Sequence, residues 1–317
     1  MRIIFMGTPD FAVASLEEIL KQNYNVVAVV TAPDKPAGRG QTLQQSAVKQ
    51  FAVKHNLNVL QPLNLKSEEF IQELKKLNAD LQIVVAFRML PESVWNMPKH
   101  GTYNLHASLL PKYRGAAPIN WAIINGDKKS GVTTFKLKHE IDTGNILFQK
   151  EVEIKENDNA GNLHDNLMHE GKILIIETIK KIELCEKNNS ELPFISQNNL
   201  EASHAPKIFK QDCKINFDLD AEKVNNLIRG LSPYPTAFTT IHNEDKIQTL
   251  KLFNTKIEFC NNDVKAGAII SDNKTYLKIK CKTNLLTVYE LQLEGKKRML
   301  IEDFLKGYKI NNTAFCQ

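Results

Sequence analysis

Ile83-Val84-Val85-Ala86-Phe87 is an unbroken apolar run with polar residues close on either side. So short and uniform a run reads as a strand buried on both faces, because a strand with one wet face would alternate. Such a strand needs cover above and below, which a sheet layered between helices supplies. The surrounding sequence provides those layers. Arg2 to Met6 reads as a first strand, and Thr8-Pro9 as an N-cap and first helical residue. Val13, Leu16 and Leu20 then recur at helical spacing. Asn25 to Thr31 is a Val-rich strand, and Ser67 to Lys76 an amphipathic helix. Strand and helix alternating in this order predict an α/β unit on a mostly parallel sheet, with ligands bound beyond the carboxyl ends of its strands.

Thr102 to Ala107 reads as a further strand of that sheet. Asn104 and His106 lie two residues apart in it, so both side chains leave the same face near the strand's end. The Asp142-Thr143-Gly144 turn follows later and could bring in a carboxylate. An amide donor, an imidazole and a carboxylate can together stabilise an oxyanion and manage one proton. No hydroxyl or thiol nucleophile stands with them. The chemistry this predicts is acyl-type transfer to an external nucleophile, without a covalent enzyme intermediate.

Gly131 to Lys138 and Ile146 to Ile154 read as strands flanking the turn. A helix is predicted over Ala160 to Leu184, with Leu163, Leu167 and Leu174 on one stripe. The polar stretch Glu186 to Ser203, rich in Asn, reads as a linker. After Ala205 the pattern changes. One helix is predicted over Asp220 to Arg229, and then short β-rich segments alternate with turns: Ala237 to Ile241, Lys246 to Phe253, Gly267 to Ile270, Thr275 to Cys281 and Leu285 to Leu293. A short helix over Glu302 to Leu305 follows. Short strands of this kind predict a small barrel or sandwich. The expected organisation is a catalytic domain over 1–188, a linker over 189–205 and a C-terminal domain over 206–317.

Several functions are disfavoured. The turn Gly7-Thr8-Pro9-Asp10 has neither the G-x-G-x-x-G of a dinucleotide site nor the G-K-[ST] of a P-loop. Cys185, Cys213, Cys260, Cys281 and Cys316 form no C-x-x-C pair, which argues against a zinc site or disulfide framework and fits a reducing cytoplasm. No apolar stretch approaches the ~20 residues of a membrane span. The net charge is +5, and 18 of the 41 Lys+Arg against 14 of the 36 Asp+Glu lie from Glu201 onward. The basic excess therefore sits in the C-terminal third, a weak pointer to a polyanionic partner.

Two loops carry further signals. Ala32-Pro33-Asp34-Lys35-Pro36-Ala37-Gly38-Arg39-Gly40 lies beyond the second strand, and its Pro, Gly and basic residues predict a mobile loop; taken alone these residues favour an ordinary surface connection, with a grip on a phosphate backbone as the alternative. Ser108-Leu109-Leu110-Pro111 directly follows the candidate catalytic residues. Apolar side chains with free backbone groups there would suit a flat heteroaromatic ligand, or would plug the core as an ordinary loop.

Asn104-x-His106-x-Ser108-Leu109-Leu110-Pro111-x-Tyr113-Arg114-Gly115-Ala116-Ala117-Pro118, followed by Asp142-Thr143-Gly144, resembles the signature of formyltransferases that use 10-formyltetrahydrofolate. Met6-Gly7-Thr8-Pro9-Asp10-Phe11, the Ala32 to Gly40 loop and Leu231-Ser232-Pro233-Tyr234-Pro235 are similar to segments of the branch of that family that acts on tRNA. The resemblance spans essentially the whole chain. It implies a Rossmann-like, mostly parallel sheet domain followed by an OB-like barrel. It implies formyl transfer to the α-amino group of methionine on initiator tRNA, in the cytoplasm, by a monomer without metal. Asn104, His106 and Asp142 would be catalytic. Phe87, Met89, Leu90, Ser108, Leu109, Leu110 and Pro111 would contact the folate, and Lys35, Arg39 and Lys207 the tRNA. The chain departs from the family at Ala86-Phe87-Arg88-Met89, where many relatives have Ala-Tyr-Gly. Relatives that formylate a sugar nucleotide or glycinamide ribotide share the catalytic trio, and a non-catalytic RNA-binding relative is a further alternative.

Overall fold

A computed structural model describes residues 1–37, 42–260 and 264–317. The chain divides into two compact units. The first comprises 1–115, 130–153 and 164–205; the second comprises 116–129, 154–163 and 206–317.

The first unit is built on one sheet. In chain order its elements begin β1 (Arg2–Gly7), α1 (Asp10–Lys21), β2 (Asn25–Val30), the short pair β3 (Lys35–Ala37) and β4 (Thr42–Gln44), α2 (Ala47–Lys54), β5 (Val59–Leu60), α3 (Glu68–Leu77), β6 (Leu81–Val85), α4 (Glu92–Trp95) and β7 (Thr102–His106). Then come β8 (Arg114–Gly115), α5 (Pro118–Ile124), which belongs to the second unit, β9 (Lys129–Lys136), β10 (Ile146–Glu153), α6 (Ala160–Lys187) and β11 (His204–Ala205). The sheet order is β10-β9-β7-β6-β1-β2-β5. β1 pairs in parallel with β2 and β6, β2 with β5, and β6 with β7, whereas β9 runs antiparallel to β7. This is the mostly parallel α/β sheet that alternating strands and helices predict.

Every residue of β6 is buried, as a strand covered on both faces must be. Its limits differ from the expected Ile83 to Phe87. The strand starts at Leu81 and stops at Val85, because Ala86 takes a left-handed conformation (φ 48°) that ends the extended run and turns Phe87 away from the ladder. On one side of the sheet, Ile4, Met6, Ala28, Val30 and Val84 pack with Phe70 and Leu74 of α3 and Val94 of α4. Leu163, Leu167 and Leu174 of α6 are all buried, so the predicted stripe is the packed one.

The second unit contains α7 (Ala221–Leu231), β12 (Ala237–Asn243), β13 (Lys246–Glu258), β14 (Ile269–Ser271), β15 (Leu277–Lys280), β16 (Leu285–Leu293), β17 (Met299–Leu300), α8 (Ile301–Gly307) and β18 (Phe315–Cys316). Its sheet runs β14-β15-β16-β13-β12-β18 with antiparallel pairing, and an Ala268 to Phe315 bridge brings the two ends together. The result is a nearly closed small barrel, as the OB-like expectation required. Alternate residues of β12 face inward, and Ala237, Ile241, Leu250, Leu252, Leu277, Ile279 and Leu291 fill the core with Val224 and Ile228 of α7.

Candidate active site

β6 and β7 are adjacent and parallel, with Val85 opposite Leu105. Their following loops therefore leave the same edge of the sheet, the carboxyl end where ligands of such sheets bind. Asn104 and His106 share one face of β7 at that edge. Asn104 is half-buried, and among the described residues no partner takes up its side-chain amide. Its two amide hydrogens are thus available as donors.

His106 is buried, with 6% of its surface exposed. Its Nε2 lies 2.8 Å from the carbonyl oxygen of Tyr113. A carbonyl can only accept, so Nε2 carries the hydrogen and the neutral ring has its lone pair on Nδ1. Nδ1 lies 3.8 Å from Oδ2 of Asp142. That is too long for a hydrogen bond, and it sets the carboxylate beside the free face of Nδ1. Oδ2 also accepts from the backbone N–H of Gly115 at 2.9 Å.

Asp142 sits in a strained turn. Its own φ is 54°, a left-handed conformation uncommon outside glycine. A Cβ on Gly144 would fall 1.8 Å from the carbonyl oxygen of Lys136, so nothing larger than glycine fits there. Gly115 has φ +123°, and a Cβ there would meet the carbonyl oxygen of Ala205 at 2.7 Å. The D-T-G and R-G pieces of the sequence pattern therefore have steric reasons as well as chemical ones.

The loop between His106 and Gly115 is pinned by hydrogen bonds. The Ser108 hydroxyl donates to the Lys112 carbonyl at 2.6 Å, and Thr133 Oγ1 donates to the Ser108 carbonyl at 2.6 Å. Gln149 Nε2 donates to the Leu110 carbonyl at 2.8 Å. Leu110 packs against Phe135 and Ile146. Of the residues expected against the folate, Ser108, Leu110 and Leu90 are buried in the protein itself. Phe87, Leu109 and Pro111 are half-buried, and Met89 is exposed. Arg88, at the departure from the family pattern, donates to the carbonyls of Pro62 and Leu63 and ties its loop to theirs.

The expected linker is ordered structure of the first unit. Ile195 bridges Ile146, Phe194 stacks on Tyr103 with ring centroids 6.4 Å apart, and β11 pairs in parallel with β8. Gln197 Nε2 donates to the carbonyls of Asp142 and Gly144, both at 2.8 Å, while its Oε1 accepts from Arg114 Nε and Nη2 at 3.1 and 2.8 Å. The Ser203 hydroxyl accepts from the Tyr113 N–H at 2.9 Å. Sequence reading did not single out Gln197, Ser203, Thr133 or Gln149. Their partners are 16 to 90 residues away in the chain, and no local pattern marks them.

Of the residues expected at tRNA, Lys35 is exposed at the base of the β3–β4 hairpin. That base is anchored by Asp34, which pairs with Lys49 at 2.5 Å and accepts from Gln61 at 2.8 Å. Arg39 lies outside the described residues. Lys207 is exposed in the second unit, its Nζ 5.5 Å from the Phe209 ring centroid. Among the described residues no cluster of three or more His, Cys, Asp or Glu could hold a metal ion, and no helix is long and apolar enough to cross a membrane.

The Formyl transferase model matches residues 1–179, and the Formyl transferase, C-terminal domain model matches 207–309. A methionyl-tRNA formyltransferase of Flavobacterium johnsoniae is 50% identical over 314 residues, covering 99% of this chain and 98% of the relative. Another, from Phocaeicola vulgatus, is 52% identical over 320 residues, covering 99% and 97%. Among solved structures, an N-formyltransferase from Helicobacter canadensis in complex with folinic acid and dTDP-3-aminofucose superposes with a TM-score of 0.63 at 23% identity, over 94% of this chain and 99% of that one. That last likeness concerns the fold. The chain belongs to the formyl transferase family, in its methionyl-tRNA formyltransferase branch.

Proposed function

We propose that Asn104, His106 and Asp142 carry the transfer of a formyl group from 10-formyltetrahydrofolate to the α-amino group of methionine on initiator tRNA. Family membership supplies the reaction class. Identity of 50% to relatives named for methionyl-tRNA supports that acceptor over a sugar-nucleotide or glycinamide-ribotide amine, and over a non-catalytic RNA-binding role. The observation that carries the site is the His106 ring, committed through Nε2 to a carbonyl and facing a carboxylate through Nδ1.

The folate, when bound, brings the formyl carbonyl. A carbonyl fits this site because the Asn104 amide has donors to spare and stands on the same face as His106. That amide supports the negative charge that builds on the carbonyl oxygen during attack, typically worth about 3–4 kcal/mol. His106 takes the proton of the attacking amine at Nδ1, the nitrogen left free by Tyr113, and passes a proton to the departing nitrogen. Asp142 faces the charge this places on the ring. Oxyanion support and proton transfer are thus both supplied by side chains, and the reading needs no metal. Phe87, Met89, Leu109 and Pro111 offer the pterin an apolar surface, with Leu90, Ser108 and Leu110 holding the wall in shape.

On the acceptor side the reading keeps Lys35, Arg39 and Lys207 as phosphate contacts, and takes 1–188 as the catalytic domain, 206–317 as the tRNA-binding domain and the protein as a cytoplasmic monomer. Asn104→Ala is expected to lower turnover by about 10²–10³ while the Michaelis constant for methionyl-tRNA stays within about twofold. Equal losses in both would refute the role of this residue. Arg39→Ala is expected to raise the Michaelis constant for methionyl-tRNA and flatten its salt dependence, leaving folate binding intact; unchanged tRNA kinetics would remove the loop from the reading.

A further inference from the structure

The two groups that flank the His106 ring are both held by one segment, 197–203. Ser203 accepts from the N–H of Tyr113, whose carbonyl receives Nε2. Gln197 grips the turn that presents Asp142. We infer that Gln197 is a positioning residue for the Asp142 carboxylate, with Arg114 fixing the orientation of its amide. The inference rests on the catalytic reading of His106 and Asp142 given above.

Arg114 decides which end of the Gln197 amide faces the turn. Arg114 has only donors, so the Gln197 atom it meets must be the oxygen. The NH₂ end then faces the turn, and both of its hydrogens are used, one on the Asp142 carbonyl and one on the Gly144 carbonyl. A two-pronged grip on residues two apart fixes the rotation of the peptide planes between them. The grip offsets the cost, about 1–3 kcal/mol, of a left-handed backbone in a residue with a side chain. The carboxylate has one other backbone tie, the Gly115 N–H on Oδ2, and Gly115 is the residue after Arg114. Arg114 and its successor thus act on the same acid from two directions, one through Gln197 and one directly. Loss of the grip lets the turn relax and moves Oδ2 relative to Nδ1, where a displacement of about 1 Å can cost on the order of 10² in rate.

The test is a double-mutant cycle on the full-length enzyme with formyl-folate and methionyl-tRNA. Gln197→Glu is the main variant. It keeps the shape and an oxygen for Arg114 but loses both donors and faces the two carbonyls with an acceptor, so the grip goes. It is expected to lower kcat per folded molecule by about 10–100-fold, with the Michaelis constants for both substrates within about twofold. In an Asp142→Asn background the same change is expected to cost less than about twofold, because a residue acting through the acid has nothing left to act on. Gln197→Ala is expected to repeat the pattern. Wild-type kcat in Gln197→Glu, or an equal fold loss in both backgrounds, overturns the inference. Asp142→Asn retaining full activity would instead sink the catalytic reading itself, so the two failures are distinguishable.

Discussion

The corner around His106 and the core of the C-terminal barrel are both buried, yet they are held by different forces. In the barrel, Leu250, Leu252, Leu277, Ile279 and Leu291 pack together with no polar atoms among them, and the strands that carry them pair antiparallel with their neighbours, with one irregularity in register around Asn254. In the corner, imidazole, carboxylate, amide and carbonyl groups are fixed one by one, through Tyr113, Gly115, Gln197 and Ser203. Apolar burial is non-directional and sets how much stability a region contributes. Hydrogen bonds are directional and set where an atom lies. The barrel therefore needs volume, and the corner needs geometry.

The sharpest way to break that contrast is to truncate one residue in each. His106→Ala is expected to cut turnover by about 10²–10⁴, the range for a positioned acid or base, and to cost about 1–3 kcal/mol of stability as the Tyr113 carbonyl loses its donor. Leu252→Ala, at a position with no exposed surface, is expected to lose about 2–5 kcal/mol of stability, with kcat per folded molecule unchanged. Turnover assays alongside denaturant titrations check both. A His106 variant that unfolds, or a Leu252 variant that stays stable while losing its chemistry, would erase the distinction.

Gly144 tests the boundary between the two kinds of holding. It lies in the polar corner, but its constraint is steric, a carbonyl oxygen 1.8 Å from where a Cβ would stand. Gly144→Ala is therefore expected to cost at least about 1–3 kcal/mol of stability, as overpacking does, and to lower kcat as well because the turn carries Asp142. A stable and fully active Gly144→Ala enzyme would show that the turn tolerates movement, and would weaken the case for a fixed carboxylate.

The same contrast explains how much could be read from the sequence. The sheet was legible in its apolar runs and the barrel in its alternation, because burial leaves a period in the chain: Leu285 to Leu293 is a strand over that very span, and Leu163, Leu167 and Leu174 are the packed stripe of α6. Asn104 and His106 were singled out by their spacing, and Asp142 by resemblance; the structure brings His106 and Asp142 within 3.8 Å. Gln197 and Ser203 were not. Their stretch reads as a linker because polar, Asn-rich composition marks an irregular chain, and it cannot tell a loose irregular chain from one whose polar groups are all engaged at long range. The end of β6 was missed for a related reason. Ala86 and Phe87 continue the apolar run, but one left-handed residue breaks a strand without changing hydropathy.

The smallest effect is expected on the outside of the barrel, where a charge pair meets solvent and neither volume nor fine geometry is at stake. Glu258 on β13 pairs with Lys278 at 2.6 Å and accepts from the Thr287 hydroxyl at 2.8 Å. The Lys278 hydrogen bond foremost, with Thr287 next, holds its carboxyl below the usual glutamate range. A carboxyl lowered on folding adds stability above its unfolded pKa, and that stability is lost as pH falls through the lowered folded value. Glu258→Gln is therefore expected to melt slightly lower than the parent at pH 7, by no more than about 3 °C for an exposed pair. The difference should shrink as pH drops below about 4 and vanish once the parent's carboxyl is protonated too. High salt should shrink it as well, because this pair is half open to solvent. Melting curves of both proteins from pH 7 down to the acid limit of reversible unfolding check this. A gap that widened toward low pH would mean that Glu258 contributes as a neutral hydrogen-bonding group, and a gap of many degrees at pH 7 would show that this part of the barrel depends on fine polar geometry as much as the His106 corner does.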